Sequence, residues 1–240
     1  MELRPIGVVR SPFDRTTMPP LGAPAAVEVF EEFAEGLLHL EKHTHLWVLA
    51  WLDSANRDAL QVTPRGCRGE GDKHLHGVFA LRSPARPNPI GLSVARITGR
   101  DGLRIEVDRL DFADGTPVID LKPYFVTRDV IFSATNAQIG RPASREALRN
   151  SLLMQAMQFH GEICPDLERA VDLLTEFRAA VLNFVDPAEI EITAPLSRPH
   201  LIDALMGMTR ATPGSGSLRF GTEDQVVIVH GGTPYSYRLA

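Results

Sequence analysis

Two short segments of this chain set charged side chains among residues that fix the direction of the backbone. The first is Arg82-Ser83-Pro84-Ala85-Arg86-Pro87-Asn88-Pro89-Ile90-Gly91. The second, about two strands later, is Asp111-Phe112-Ala113-Asp114-Gly115-Thr116-Pro117-Val118-Ile119-Asp120-Leu121-Lys122. Proline locks φ and removes a donor, and glycine allows tight turns, so both read as rigid loops holding arginine, aspartate and lysine in set directions. That arrangement suits a small polar ligand: an arginine fork grips a carboxylate, and aspartates take an ammonium or hydroxyls. Taken singly, each residue is also an ordinary solvated turn residue, and Asp114-Gly115 is a common hairpin signal.

A third cluster is Phe159-His160-Gly161-Glu162-Ile163-Cys164-Pro165. His160, Glu162 and Cys164 offer nitrogen, oxygen and sulfur to a zinc-like divalent ion. The plainer alternative is that Cys164 opens a helix and packs while His160 closes the preceding one. The pairs His43/His45 and His74/His76, two residues apart, would share a strand face and could also ligate zinc. Their simpler role is to buttress a pocket wall.

The elements that must position these residues fall into two textures. Up to about Phe125, short apolar runs alternate with Gly and Pro, the pattern of small antiparallel strands. Strands are expected at Leu3–Val9, Val27–Phe30, His45–Leu52, Gly77–Leu81, Leu92–Gly99, Leu103–Leu110 and Val118–Leu121, with one short helix near Ala34–Leu40. Residues 126–145 lack a sustained period and form the connection. Beyond it, Leu148, Leu152 and Ala156, then Leu167, Val171, Leu174 and Val181, recur at three- and four-residue steps and predict two amphipathic helices. A strand at Glu189–Thr193, a helix at Pro199–Met208 and strands at Leu218–Phe220, Gln225–His230 and Tyr235–Leu239 complete a second domain. The fold class is two-domain α+β: a small antiparallel β-barrel over 1–137 and a small α/β domain over 145–240, in which two helices are followed by strands.

With 240 residues and 44% hydrophobic content, the chain has enough length for two cores. No charged-then-apolar leader is visible at the start and no apolar run nears the ~20 residues of a membrane span, so a cytoplasmic protein without membrane partners is expected. Cys67 and Cys164 alone cannot build a disulfide framework. The net charge of -5 argues against nonspecific nucleic-acid binding, and no DNA partner is expected. Within residues 51–100, however, Arg57, Arg65, Arg68, Lys73, Arg82, Arg86, Arg96 and Arg100 outnumber the acids, which leaves room for a local phosphate-contacting face. A doubly wound nucleotide fold would need a G-x-G-x-x-G turn between a strand and a helix. Gly66, Gly69 and Gly71 have the wrong spacing for it.

The two loops, together with Ile6-Gly7-Val8-Val9-Arg10-Ser11-Pro12, His45-Leu46-Trp47-Val48-Leu49 and His76-Gly77-Val78-Phe79-Ala80, resemble in order the signature of the TsaA/TrmO-like family of S-adenosylmethionine-dependent methyltransferases. The match covers about the first half of the chain, and five ordered motifs are far more specific than one glycine pattern. The resemblance implies a β-barrel rather than a Rossmann sheet. It assigns the S-adenosyl-L-methionine pocket to Arg82 and Asp111, Phe112, Ala113 and Asp114, with the Pro24-Ala25 loop and the strand end at Asp53-Ser54. It leaves Arg86 and Asn88 facing the methyl acceptor or a neighbouring subunit, and Asp120 and Lys122 orienting or deprotonating that acceptor, Asp120 first. The implied acceptor is the exocyclic nitrogen of threonylcarbamoyladenosine beside the anticodon of threonine tRNA, and the implied assembly is a homodimer. A transferase acting on a small molecule, and a non-catalytic metal- or cofactor-binding protein, stand as alternatives. Residues 145–240 resemble the FmdE-like modules related to formylmethanofuran dehydrogenase, through His160, Gly161, Cys164 and Pro165 and the stretches Leu201–Thr209 and Gly214–Phe220. Glu162 stands there in place of a family histidine.

Overall fold

The computed structural model describes residues 2–64, 66–67, 74–187 and 189–239. Arg65, Arg68 and Lys73 of the basic stretch lie outside them. Two compact units result: residues 1–65 with 69–136, and residues 137–240 with 66–68.

The first unit is a closed six-stranded barrel. Its strands are β1 (Gly7–Arg10), β2 (Ala23–Val29), β3 (His45–Trp51), β6 (Ile90–Asp101), β7 (Arg104–Leu110) and β8 (Pro117–Pro123), hydrogen-bonded in the order β1-β2-β7-β6-β3-β8. Every described contact between these strands is antiparallel. β3 shows why the chain pleats as it does: Leu46, Val48 and Ala50 are buried, while His45, Trp47, Leu49 and Trp51 alternate on the outer face. Six strands enclose little space, so small and β-branched residues fill it. Val9, Val27, Val48, Ala50, Ala95, Ile105, Val107 and Val118 form one cluster there. Closure also removes the free edges that would invite pairing with other chains.

Of three register shifts among the described strand pairs, two bear on the rim and on the face of β8, the third lying between Ile97 and Gly99 in β6. β2 begins four residues before the expected strand, at Ala23, because Pro24 sits where the register with β7 slips between Ala23 and Ala25. A residue without an N–H is tolerated at such an irregularity. In β8, Ala50 faces Val118 and Leu49 faces Asp120, which leaves Ile119 as an extra residue. The parity of the strand flips there, so both Val118 and Leu121 pack on the core.

The expected strand at Gly77–Leu81 does not form. β5 is only His76–Gly77, paired with β4 (Gln61–Val62), and Val78–Ala80 is a 3-10 turn. The cause is local. Only Val78 is buried, Phe79 is 81% exposed, and the carbonyls of Val78 and Leu81 are taken by the Arg86 guanidinium instead of a neighbouring strand. The short helix is a 3-10 helix at Glu31–Leu37. A one-turn helix, α1 (Val126–Asp129), starts the connection.

The second unit stacks three helices and a four-stranded sheet. α2 (Arg145–His160) is capped by Ser144, whose hydroxyl accepts from Ala147 N. α3 (Pro165–Ala180) starts with proline in its first turn. β9 (Glu191–Pro195), α4 (Pro199–Thr209) and β10 (Leu218–Gly221) make a parallel crossover, and β11 (Gln225–His230) and β12 (Thr233–Arg238) extend the sheet to the order β10-β9-β11-β12. A helix between β9 and β10 therefore interrupts the run of strands. Leu152, Leu167, Val171, Phe177, Leu201 and Leu205 from the helices meet Ile192, Ala194, Leu218, Val226 and Ile228 from the sheet in one apolar core.

Candidate functional site

Strand order and direction gather one set of loops at one end of the barrel. β1, β3 and β7 end there, and β2, β6 and β8 begin there. The segments 11–22, 52–57, 82–89 and 111–116 therefore share a rim, and that rim carries Pro24, Ala25, Asp53, Ser54, Arg82, Arg86, Asn88 and Asp111 through Asp114. Residues from four separate stretches of sequence are brought together by closure of the sheet alone.

The 111–116 turn is fastened on both sides. Asp114 Oδ1 accepts from Ser11 N at 3.0 Å, Asp114 N donates to Phe13 O at 2.9 Å, and Gly115 N donates to Val9 O at 2.9 Å. Ala113 O accepts from both Thr116 N and Thr116 Oγ1. Phe112 is 5% exposed, and its ring lies over Gly91, where an added Cβ would meet Phe112 Cε1 at 2.6 Å. Among the described residues, the N–H groups of Phe112 and Ala113 have no acceptor, and the side chains of Arg82 and Asp111, both exposed, have no hydrogen-bond or ion-pair partner. A fixed turn thus carries two peptide donors and a carboxylate that have no partner among the described residues, on the rim that also bears the Arg82 guanidinium.

Other candidates are already engaged. Asp53 pairs with Arg15 Nη2 at 2.6 Å, both exposed, and Ser54 is exposed beside it. Arg86 spends its guanidinium on the backbone: Nε donates to Ser83 O at 2.8 Å, and Nη2 donates to Val78 O at 2.7 Å and Leu81 O at 2.5 Å. It staples the loop that carries Arg82. Asn88 has its carbonyl on Ile90 N, with an exposed side chain. Pro24 is exposed and Ala25 faces the core.

Asp120 and Lys122 are not at the rim. They sit part-way down β8 opposite Leu49 and Trp47, on the outer face of the barrel, and are joined as an ion pair at 2.6 Å. The same outer face carries Trp47, Leu49, Ile90, Leu92 and Val94, the last three being cross-strand partners of Trp51, Leu49 and Trp47.

Asp14 is a rim residue that the sequence reading missed. Its Oδ1 accepts from the hydroxyls and backbone N–H groups of Thr16 and Thr17, and these bonds, Thr16 first, hold its carboxyl down at about 2. The Asp-x-Thr-Thr spacing is the signal that could have found it. His45, on the outer face, is held below its usual range by burial and contacts Thr44 Oγ1 at 2.9 Å. His43 turns its ring edge-on to Phe125, and His76 Nδ1 contacts His74 O, so neither histidine pair converges on a common point.

In the second unit His160 and Cys164 do converge, but their third neighbour is His200 rather than Glu162, which is exposed. His200 lies 36 residues beyond Cys164 at the start of α4, and no local spacing announces it.

The family model described as tRNA-methyltransferase O N-terminal domain matches residues 8–130, just over half of the chain. The chain belongs to the tRNA-methyltransferase O family. The matched stretch is the barrel with all of the rim loops after β1. A relative from Archaeoglobus fulgidus named "Probable S-adenosyl-L-methionine-binding protein" is 46% identical over 172 residues, 69% of this chain and 45% of that protein. This family member thus spans less than half the length of that relative. A second protein of the same organism, named "S-adenosyl-L-methionine-binding protein", is 44% identical over 129 residues, 52% of this chain and 89% of that one. A crystal structure of TrmO from Pseudomonas aeruginosa is 31% identical over 57% of this chain and 61% of that chain, with a TM-score of 0.44. Among the described residues, no helix of this family member is long and apolar enough to cross a membrane.

Proposed function

We propose that the barrel rim binds S-adenosyl-L-methionine and that the protein methylates the exocyclic nitrogen of threonylcarbamoyladenosine in threonine tRNA. The observation that carries this reading is the donor set at the rim of a barrel whose family is tRNA-methyltransferase O. Among the described residues Arg82 and Asp111 are without a charge partner and the N–H groups of Phe112 and Ala113 without an acceptor, all on loops fixed by hydrogen bonds. These groups fit the cofactor: Arg82 would hold its carboxylate, Asp111 its ammonium or a ribose hydroxyl, and the two peptide donors its acceptor atoms. When bound, the cofactor supplies an electrophilic methyl carbon on a sulfonium. The rest falls to positioning, because an in-line displacement is accelerated chiefly by holding the reacting atoms close and collinear. Asp114, clamped to Ser11 and Phe13, and Phe112, wedged over Gly91, keep the donor loop from yielding. Arg86 does the same for Arg82.

Asp120 and Lys122 serve this reading from the outer face. The apolar stripe of Trp47, Leu49, Ile90, Leu92 and Val94 beside them supports a homodimer joined there, which would bring the ion pair to a subunit boundary. Asp120 then orients the acceptor and takes the proton of its nitrogen. The basic side chains Arg57 and Arg96, and Arg65, Arg68 and Lys73, which lie outside the described residues, supply phosphate contacts in this reading. The module at 145–240 stands as a separate unit of the FmdE-like kind. The net charge of -5 favours a second reading, methyl transfer to a small molecule in a cytoplasmic setting.

The test is incubation of the purified protein with labelled S-adenosyl-L-methionine and bulk tRNA, followed by digestion and mass spectrometry of the nucleosides. Label in a methylated threonylcarbamoyladenosine, absent with Arg82→Ala, supports the proposal. Unmodified tRNA with bound cofactor would move the assignment to the small-molecule reading.

A further inference from the structure

We infer that the second unit holds one zinc-type divalent cation on His160 Nε2, Cys164 Sγ and His200 Nδ1, with Asp203 as the positioning residue. The three atoms form a compact triangle. Nε2 lies 3.6 Å from the sulfur, the sulfur lies 3.7 Å from Nδ1, and Nδ1 lies 3.0 Å from Nε2. Tetrahedral zinc with bonds of about 2.0–2.1 Å to nitrogen and about 2.3 Å to sulfur requires nitrogen–sulfur edges of about 3.5–3.6 Å and nitrogen–nitrogen edges of about 3.3–3.4 Å. All three edges agree to within a few tenths of an ångström. The triangle is one face of a metal tetrahedron.

The protonation pattern points the same way. Asp203 Oδ2 is 3.2 Å from His160 Nδ1, so the carboxylate accepts the Nδ1 proton and leaves the Nε2 lone pair directed at the cluster. That is the carboxylate–imidazole arrangement that orients a metal-bound histidine. The sulfur accepts from Leu167 N at 3.4 Å, at the N-terminus of a 16-residue helix, where the macrodipole favours an anionic ligand.

The three ligands are held at the ends of three helices that share one core. His160 is the last residue of α2, Cys164 is the N-cap of α3 and His200 is the second residue of α4. Gly161, at φ 96, lets the chain leave α2 in a left-handed turn, and Pro165 and Pro199 fix the first turns of the other two helices. His160 is nearly enclosed, its side chain 8% exposed, whereas His200 is exposed, so the fourth coordination position faces solvent. Two imidazoles and a thiolate select zinc over magnesium or calcium, and three protein ligands with an open fourth position are the pattern of a reactive rather than a closed structural zinc site. Water or an anionic group of a small substrate completes the shell. Glu162 is exposed and takes no part.

The experiment loads the full chain with zinc, removes the excess by gel filtration and measures metal content. A cobalt-loaded sample is examined for the thiolate-to-cobalt charge-transfer band. One metal per chain is expected, with the band present. Cys164→Ser and His200→Ala should each retain less than about a tenth of the metal, and Asp203→Asn should weaken binding by about 10–100-fold while keeping the charge-transfer band. Serine is itself a good N-cap and His200 is exposed, so circular dichroism of these variants should match that of the wild type. Metal-free wild-type protein after loading, or equal metal in the wild type and both ligand variants, would overturn the assignment.

Discussion

Arg86→Ala separates a residue that shapes the rim from one that meets the acceptor. In the structure its guanidinium makes three hydrogen bonds, to the carbonyls of Ser83, Val78 and Leu81. Hydrogen bonds to a charged donor contribute about 1.5–3 kcal/mol each when well buried. Arg86 is only half-buried, and water replaces part of what is lost. The substitution should therefore cost about 2–4 kcal/mol, well short of three times the single-bond value. At roughly 3 °C per kcal/mol for a chain of this size, the melting temperature should fall by about 6–12 °C. Arg86→Lys, with one compact ammonium in place of a fork, should recover only part of this. Calorimetric scans are to be paired with cofactor titration and with initial rates at saturating cofactor. The expected result is lower stability and weaker cofactor binding, with the saturated rate within a few-fold of wild type. A melting temperature unchanged within about 1 °C alongside a saturated rate down by about 100-fold would refute the staple and give Arg86 a direct contact with the acceptor.

Gly91→Ala would place a Cβ 2.6 Å from Phe112 Cε1 and 3.3 Å from Leu52 Cδ2, an overpacking expected to cost about 1–3 kcal/mol and to dislodge the donor loop. Melting temperature and cofactor affinity should fall together, and unchanged affinity would contradict the role given to Phe112. His45 is kept neutral by burial, so below its usual range the unfolded chain binds a proton that the folded chain resists. That contribution makes stability rise with pH up to the ordinary histidine range at about 6.5 and flatten above it, a slope that His45→Gln should reduce in denaturant titrations on the acid side of that range.

Alternation made β3 and β7 readable, because one face of each meets a core and the other does not. Pro24 hid the start of β2, since a bulge tolerates a proline that a regular ladder rejects. Gly77–Leu81 read as a strand because its residues are apolar, yet Arg86 captures the carbonyls that a ladder would need. The resemblance named Asp120 and Lys122 for the acceptor, but which face of the barrel they occupy depends on the extra residue Ile119, a property of pairing with β3 rather than of β8 alone. The rim residues were recognisable as rigid loops, whereas their shared location follows from closure of the sheet. His160 and Cys164 were visible at a spacing of four. His200 and Asp203 arrive through the crossover helix α4, and only tertiary structure brings them together.

The central claim is that Arg82, Asp111 and the peptide N–H groups of Phe112 and Ala113, without partners among the described residues, bind the sulfonium cofactor at the mouth of a closed barrel. Isothermal titration of the purified chain with S-adenosyl-L-methionine tests it most directly. One site per chain is predicted for the wild type, with affinity lowered at least about tenfold in Arg82→Ala and in Asp111→Asn, as loss of a charge-assisted contact requires. No binding by the wild type, or equal affinity in all three proteins, would contradict the account.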